Sequence, residues 1–455
     1  MRKTSFALAL LSAAVLTACG GTDPKAGDQT PKTKFSQQVT FGDSLSDVGS
    51  YAVGGVAVQG GGAYTINGDA TSVSPELTGK NYTTLIAAQL GLPAPCAAQT
   101  GLLGTASTNP ALNFAVPVTM NANCFNYAQG GARVTNPVGP GNRALDKAGA
   151  AVSLGATTVP VVTQIANHLA KTGGKFSGSE LVIVMAGGND VLEQLGELSA
   201  GATTAGGTAL ITSLVQQLAP GAANPATAQQ AIAAAATAEA AKGSAAPAII
   251  TAAITAAAQA GNTAAVANAA AIGAKAGADA TAAGLKYSAD HGADAVKALA
   301  TAGAELAVLV KNQILAKGAN FVVVNNLPDV SIAPSVLAQS ADTQKLVATM
   351  VATFNQQLKT GLGDDAKVLY VDLATVSHDQ AVNPGPYGLT VTNKSACDLS
   401  TAKNPLASSL VCNKNNLISG DVSHYMFADG VHPTPFEYAL IARYVLLQMS
   451  GKGWL

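Results

Sequence analysis

Five short runs of apolar and β-branched residues punctuate the chain, at residues 38–41, 124–128, 181–185, 320–325 and 367–372. Runs of this length and composition read as strands. Between them, apolar positions recur with helical period. A helix is predicted over 81–90, stopped by Gly91, and another over 160–171, with proline in its first turn and Gly173-Gly174 beyond its end. Further helices are expected over 293–316, 340–362 and 435–449. In the last, Phe436, Leu440, Tyr444 and Leu447 share one face, which would anchor the helix to the sheet. Strands alternating with helices predict an α/β protein with three layers, α/β/α, around a mostly parallel five-stranded sheet. In such sheets ligands sit beyond the carboxyl ends of the strands.

One stretch breaks this rhythm. Across residues 201–300 about four positions in ten are alanine, and no aromatic residue occurs between Gly201 and Lys286. Alanine forms helices well but buries little area. Glycines together with Pro220, Pro225 and Pro247 are expected to cut the stretch into several short helices rather than one rod. It reads as an insertion over 198–290 between the third and fourth strands. Three roles stay open for it: an exposed decoration, a lid or wall of an apolar cleft, or a module for attachment and assembly.

The N-terminus carries a different signal. Arg2 and Lys3 precede an apolar run over 6–16, too short to span a membrane as a stable helix. It ends in Leu16-Thr17-Ala18-Cys19, which resembles the bacterial lipoprotein box. That resemblance implies cleavage before Cys19, acylation of its thiol, and anchoring at the cell envelope; Gly20 after the cysteine points to the outer membrane. Without acylation the chain would be secreted. Residues 20–37, rich in Gly, Thr, Pro, Lys and Asp, read as a flexible tether. The expected organisation is a signal peptide over 1–19, the tether, an α/β domain in two parts, 38–197 and 291–455, and the insertion between them. No membrane-spanning helix or β-barrel is expected after the second part.

Net charge is −1, and no lysine–arginine cluster appears beyond the first three residues, so nucleic acid is not an expected partner. Of five cysteines, Cys96, Cys124, Cys397 and Cys412 remain if Cys19 carries lipid. Four cysteines allow three pairings. The local pairs Cys96–Cys124 and Cys397–Cys412 are favoured, since each closes a loop rich in Asn, Pro, Ser and Gly. Close cysteine–histidine spacing suited to zinc is absent, so no metal is implied.

Two runs carry the chemistry. Phe41-Gly42-Asp43-Ser44-Leu45-Ser46-Asp47 places a serine just after the first strand, and Asp429-Gly430-Val431-His432-Pro433 places a histidine three residues after an aspartate. A serine hydroxyl attacks only when a base takes its proton, and the base works best when a third group fixes its tautomer. Ser44, His432 and Asp429 are the residue types for those roles. Gly-Asp-Ser-Leu with a late Asp-x-x-His resembles the GDSL (SGNH) hydrolase family of lipases and esterases.

Two further segments extend the resemblance. Asn126-Tyr127-Ala128-Gln129-Gly130-Gly131-Ala132 looks like the family's second block, and Gly187-Gly188-Asn189-Asp190 like its third. The resemblance implies an oxyanion hole built from the N–H groups of Ser44 and Gly131 and the side chain of Asn189, with Gly130 as the alternative glycine. Asp43 and Asp47 are expected to bond loop amides. His168 and His291 are expected at the surface, and His378 and His424 in the long loop between the fifth strand and the Asp-x-x-His, where either is a candidate for touching substrate.

The activity implied is hydrolysis of carboxylic esters, of lipid or other acyl type, through an acyl-enzyme on Ser44 and without a cofactor. Transfer of the acyl group to another alcohol, deacetylation of a polysaccharide, and a non-enzymatic binding role in the envelope are the alternatives. Turnover of a simple chromogenic ester separates the last from the others.

Overall fold

The computed structural model describes residues 33–68, 76–140, 153–155 and 157–455. The apolar run over 6–16 and Cys19 lie outside the described residues. Among the described residues there are eight strands: β1 (Gln38–Gly42), β2 (Gln99–Leu103), β3 (Ala115–Met120), β4 (Leu181–Met185), β5 (Phe321–Asn325), β6 (Val368–Val371), β7 (Val391–Ser395) and β8 (Tyr425–Phe427). The central sheet is parallel, in the order β1-β4-β5-β6, with Thr40 beside Ile183, Ile183 beside Val323, and Val323 beside Leu369.

Alternate side chains leave this sheet on opposite faces, and both faces are covered. On one, Val39, Phe41, Val182, Val184, Val322 and Val324 pack with Leu299, Leu306, Met350 and Phe354 from the helices Ala269–Leu309 and Ala341–Leu362. On the other, Leu181, Ile183, Met185, Val323 and Val371 meet Tyr82 and Ile86 of the helix Tyr82–Gln89 and the C-terminal helix Pro435–Gly451. The three-layer α/β/α arrangement is therefore present.

The sheet has four strands, not five. Residues 124–128 touch β1 through a single parallel bridge, Thr40 to Asn126. Thr40 N–H donates to the Phe125 carbonyl at 3.0 Å, and Tyr127 N–H to the Thr40 carbonyl at 2.8 Å. On its other side Asn126 bonds Ala98 and Cys96. The Asn126 side chain accepts the Ala128 N–H at 3.1 Å, and Gln164 takes the Gly42 N–H at 2.8 Å, so beyond Tyr127 only the bond from Gln129 N–H to the Gly42 carbonyl, at 3.2 Å, joins the segment to β1.

The C-terminal helix also faces the sheet differently from the expectation. Tyr438, Ile441, Val445 and Met449 pack on it, with the expected Tyr444 half-buried beside them, whereas Leu447 is 65% exposed. Phe436 and Leu440 pack instead against Met426 and Phe427, beside the cleft described below.

The alanine-rich stretch forms a helical hairpin rather than a series of short helices. Its arms are the helix Gly188–Leu218, of 31 residues, and the helix Ala269–Leu309, of 41. Gly201 meets Tyr287 and Gly206 meets Ala280, while the Ser213 hydroxyl donates to Asp279, so the arms run antiparallel. The prolines do interrupt helices as expected: Pro225 and Pro247 sit in first turns and Pro220 in the turn closing the first arm. The glycines do not, because several occupy the contact between the arms. The shorter helices Pro225–Ala241 and Ala246–Gln259 pack at the far end around Leu210, Leu214, Leu218, Ile232 and Ile254. Residues 198 and 290 both fall inside the arms, which are continuous with helices of the α/β core.

By length and composition alone, Gly188–Gly221 could cross a membrane. Its first turn, however, is buried in the site described next, and its last turns lie in the hairpin's own core.

Candidate active site

Ser44 follows β1, Asn189 follows β4, and Gly131 follows the segment bridged to β1, so all three meet at the carboxyl edge of the sheet. The loop after β8 brings His432 to the same place. His432 Nε2 lies 2.9 Å from Ser44 Oγ, and its Nδ1 lies 2.7 and 2.9 Å from the two oxygens of Asp429. With Nδ1–H donated to the carboxylate, Nε2 is left as the acceptor for the serine proton.

Asp429 is held from several directions. Its Oδ1 accepts the N–H groups of Val431 and His432 at 2.9 and 2.8 Å, and its Oδ2 accepts Ser409 N–H at 2.7 Å. Burial alone would raise its pKa. The His432 charge, the imidazole hydrogen bond and the backbone donors outweigh that and hold it well below the usual carboxylate range. The group is therefore ionised wherever the protein is folded at neutral pH.

Opposite the serine lies a loop at 129–134. Gly131 has φ +82°, a left-handed conformation that a β-carbon would strain. Among the described residues, neither the Ser44 nor the Gly131 N–H donates to another protein group. Asn189 Nδ2 donates one hydrogen to the Ala132 carbonyl at 2.9 Å, leaving its second N–H for a ligand. The arrangement therefore offers three donors near Ser44.

The loop is fixed at both ends by carboxylates. Asp47 accepts Gly130 N–H at 2.9 Å as well as Gly49 and Ser50. Asp190 accepts Arg133 Nε at 2.9 Å and Val134 N–H at 3.1 Å. Asp43 accepts the Leu45 N–H, and burial pushes its carboxyl up to about 7 despite that bond and the charge of His432. Asp43 and Asp47 thus bond loop amides, as anticipated. The Arg133–Asp190 strap was not anticipated, although Asp190 directly follows Asn189. Ser409, from a loop containing one disulfide, was equally invisible. Its position depends on chain packing that local spacing does not encode.

The four cysteines pair as Cys96–Cys124 and Cys397–Cys412. The first pair braces the segment that leads to the Gly131 loop, and the second the loop that presents Ser409. His168, expected at the surface, is fully buried among Phe41, Phe125, Tyr127 and Phe176, and burial pushes it down to about 4. His291 is exposed, and His424 packs on Phe436. His378, expected in a loop, lies in the helix Leu373–Val382, and its Nδ1–H donates to the Asp329 carboxylate at 2.8 Å.

Ser44 and His432 open into a cleft of about 610 Å³. Its walls are largely apolar, with Leu154, Leu192, Leu327, Leu406, Met426 and Phe427 among them, and no residue beyond Leu192 in the helical hairpin contributes. The lid reading of the hairpin therefore finds no residue at the cleft in this structure. Glu437 lies in the wall with its carboxyl buried. Burial holds that group well above the usual carboxylate range, only partly opposed by Gln380.

Comparison with known proteins points the same way as the geometry. The sequence model described as GDSL-like Lipase/Acylhydrolase matches residues 254–445, a span that takes in β5, β6, Asp429 and His432 but begins after Ser44, Gly131 and Asn189. Three GDSL esterase/lipases of Arabidopsis thaliana are similar to the chain. They are 28%, 30% and 27% identical over 148, 129 and 141 residues, covering 29%, 27% and 29% of this chain. The matched stretches span 40%, 33% and 38% of those relatives' own lengths.

Proposed function

From the premise that the chain belongs to the GDSL lipase/acylhydrolase family, we propose that it is a serine hydrolase that cleaves carboxylic esters of apolar acyl groups. The observation that carries this is the unbroken hydrogen-bonded chain from Ser44 through His432 to Asp429 at the mouth of an apolar cleft.

His432 Nε2 takes the proton of Ser44 as Oγ attacks the ester carbonyl, and Asp429 stabilises the imidazolium that forms. The electron pair of the carbonyl moves to its oxygen, which the Ser44 and Gly131 N–H groups and the free N–H of Asn189 receive. Collapse expels the alcohol, protonated by His432, and leaves the acyl group on Ser44. Water, deprotonated by the same imidazole, then releases the acid. The large apolar side chains along the cleft favour substrates with a hydrocarbon acyl chain, each buried methylene being worth about 0.8 kcal/mol.

The test is a series of p-nitrophenyl esters of increasing chain length, run beside a Ser44→Ala control. Turnover that rises with chain length and disappears in the control supports the reading. Full activity in Ser44→Ala refutes it.

Location is part of the same proposal. Leu16-Thr17-Ala18-Cys19, with Gly20 behind it, supports an envelope lipoprotein held at the outer membrane through Cys19. Its test is given below.

A further inference from the structure

Tyr64 lies in the cleft wall with its ring on the catalytic imidazole, the centroids 4.7 Å apart and the planes tilted by 37°. Its hydroxyl lies over the Cα of Gly130, so close that a β-carbon there would come within 2.0 Å of Oη. Gly131, the next residue, presents the unused N–H. Among the described residues no protein acceptor takes the Tyr64 O–H, although the side chain is only 8% exposed.

The hydroxyl keeps contact with the open cleft, where its hydrogen is free for a ligand. The segment that carries it is held firmly. The Tyr64 carbonyl accepts Tyr438 Oη at 3.3 Å, and Thr65 Oγ1 donates to the carbonyl of Pro433, directly after the catalytic histidine. Tyr51 Oη, by contrast, is spent on the Gly130 carbonyl at 3.0 Å.

We infer that Tyr64 is a further catalytic residue, whose hydroxyl donates a hydrogen bond to the oxygen of the tetrahedral intermediate beside Gly131. The inference rests on the hydrolase reading above. As Ser44 Oγ bonds to the carbonyl carbon, the carbonyl pair moves onto oxygen, and Tyr64 O–H, Gly131 N–H and Asn189 share the charge. The phenol keeps its proton throughout. Burial, reinforced by Tyr51, Asp47, Asp429 and Asp43, raises its pKa, so it remains a donor across the pH range of the folded enzyme.

The test is Tyr64→Phe, which keeps the ring against His432 and breaks no internal hydrogen bond. The melting temperature should stay within a degree or two. In ester hydrolysis kcat should fall about 10- to 100-fold with KM within about twofold, the scale of one hydrogen bond to a charged oxygen. Affinity for an alkyl boronic acid, which forms a tetrahedral adduct on serine, should fall by a similar factor. The loss should be the same for p-nitrophenyl and simple alkyl esters.

Unchanged kcat and unchanged boronate affinity in Tyr64→Phe, with Ser44→Ala inactive, would overturn this inference alone. A loss that grows as the leaving alcohol becomes more basic would also overturn it, placing the hydroxyl on the leaving oxygen. Activity retained in Ser44→Ala would instead remove the reading on which it rests.

Discussion

In the proposed mechanism the serine–histidine–aspartate chain acts as a unit, so its members should fail together. Ser44→Ala and His432→Ala should each lower kcat by roughly 10⁴–10⁶, and the double variant should be scarcely worse than either. Additive losses in a steady-state assay would mean that the two residues serve separate steps. Asn189→Ala should lower kcat by roughly 10²–10³ with little change in KM, since its free N–H matters most when charge develops. An effect confined to KM would place Asn189 on ground-state substrate. At this scale the sequence was most legible where chemistry demands a residue type at a fixed local spacing: Asp429 and His432 stand three apart, and Ser44 follows a strand directly. It was silent where the partner comes from elsewhere in the chain. Ser409 reaches Asp429 across 20 residues, and Tyr64 meets His432 from a glycine-rich segment at 60–64 with no chemical signature of its own. His168 was misread because a lone histidine on a helix gives no warning of the four aromatic rings that enclose it.

Among the elements, apolar runs located every strand of the central sheet, because β1, β4, β5 and β6 are buried on both faces and leave a continuous apolar signature. The run at 124–128 has similar composition, yet its ladder with β1 stops at one bridge, because side chains of Asn126 and Gln164 take the Ala128 and Gly42 N–H groups. Side-chain competition for backbone hydrogen bonds is what periodicity alone does not see. The helical hairpin shows the same limit in another form. Glycine lowers helix propensity by about 1 kcal/mol, but where two alanine-rich helices touch, it permits the close approach that stabilises both. Residues 219–268 hold the end of the hairpin, and none of them lines the cleft. Replacing them with a short Gly/Ser linker between Leu218 and Ala269 should leave activity on short and long acyl esters within about twofold of the intact chain. Selective loss of long-chain activity, with circular dichroism showing a folded core, would establish the hairpin as part of the acyl site.

For the molecule as a whole, the buried carboxyl of Glu437 ties stability to pH. Thr434 N–H donates to Met426 rather than to the Glu437 carboxyl, so the reciprocal bond of a capping box is not made and the acid is left in the cleft wall. Its folded pKa is raised above the unfolded value, so the native state retains a proton that the unfolded chain releases. Its stabilisation is complete below the unfolded value of about 4.5 and declines as pH rises toward the folded pKa, by about 1.4 kcal/mol per unit. Glu437→Gln removes that dependence. Its melting temperature relative to the native protein should therefore increase as pH rises above about 5, and parallel curves would show that the carboxyl ionises without cost.

Attachment is tested on the same scale. Cys19→Ser should abolish incorporation of labelled fatty acid and release the protein from the membrane fraction, and retention there would identify another anchor.

The measurement closest to the central claim is mass spectrometry of the protein quenched in acid during turnover of a p-nitrophenyl acyl ester. The acyl group should appear on the peptide containing Ser44, at up to one equivalent, and should be absent in His432→Ala. Steady ester turnover with no acylation of that peptide, or acylation at another residue, would contradict the account.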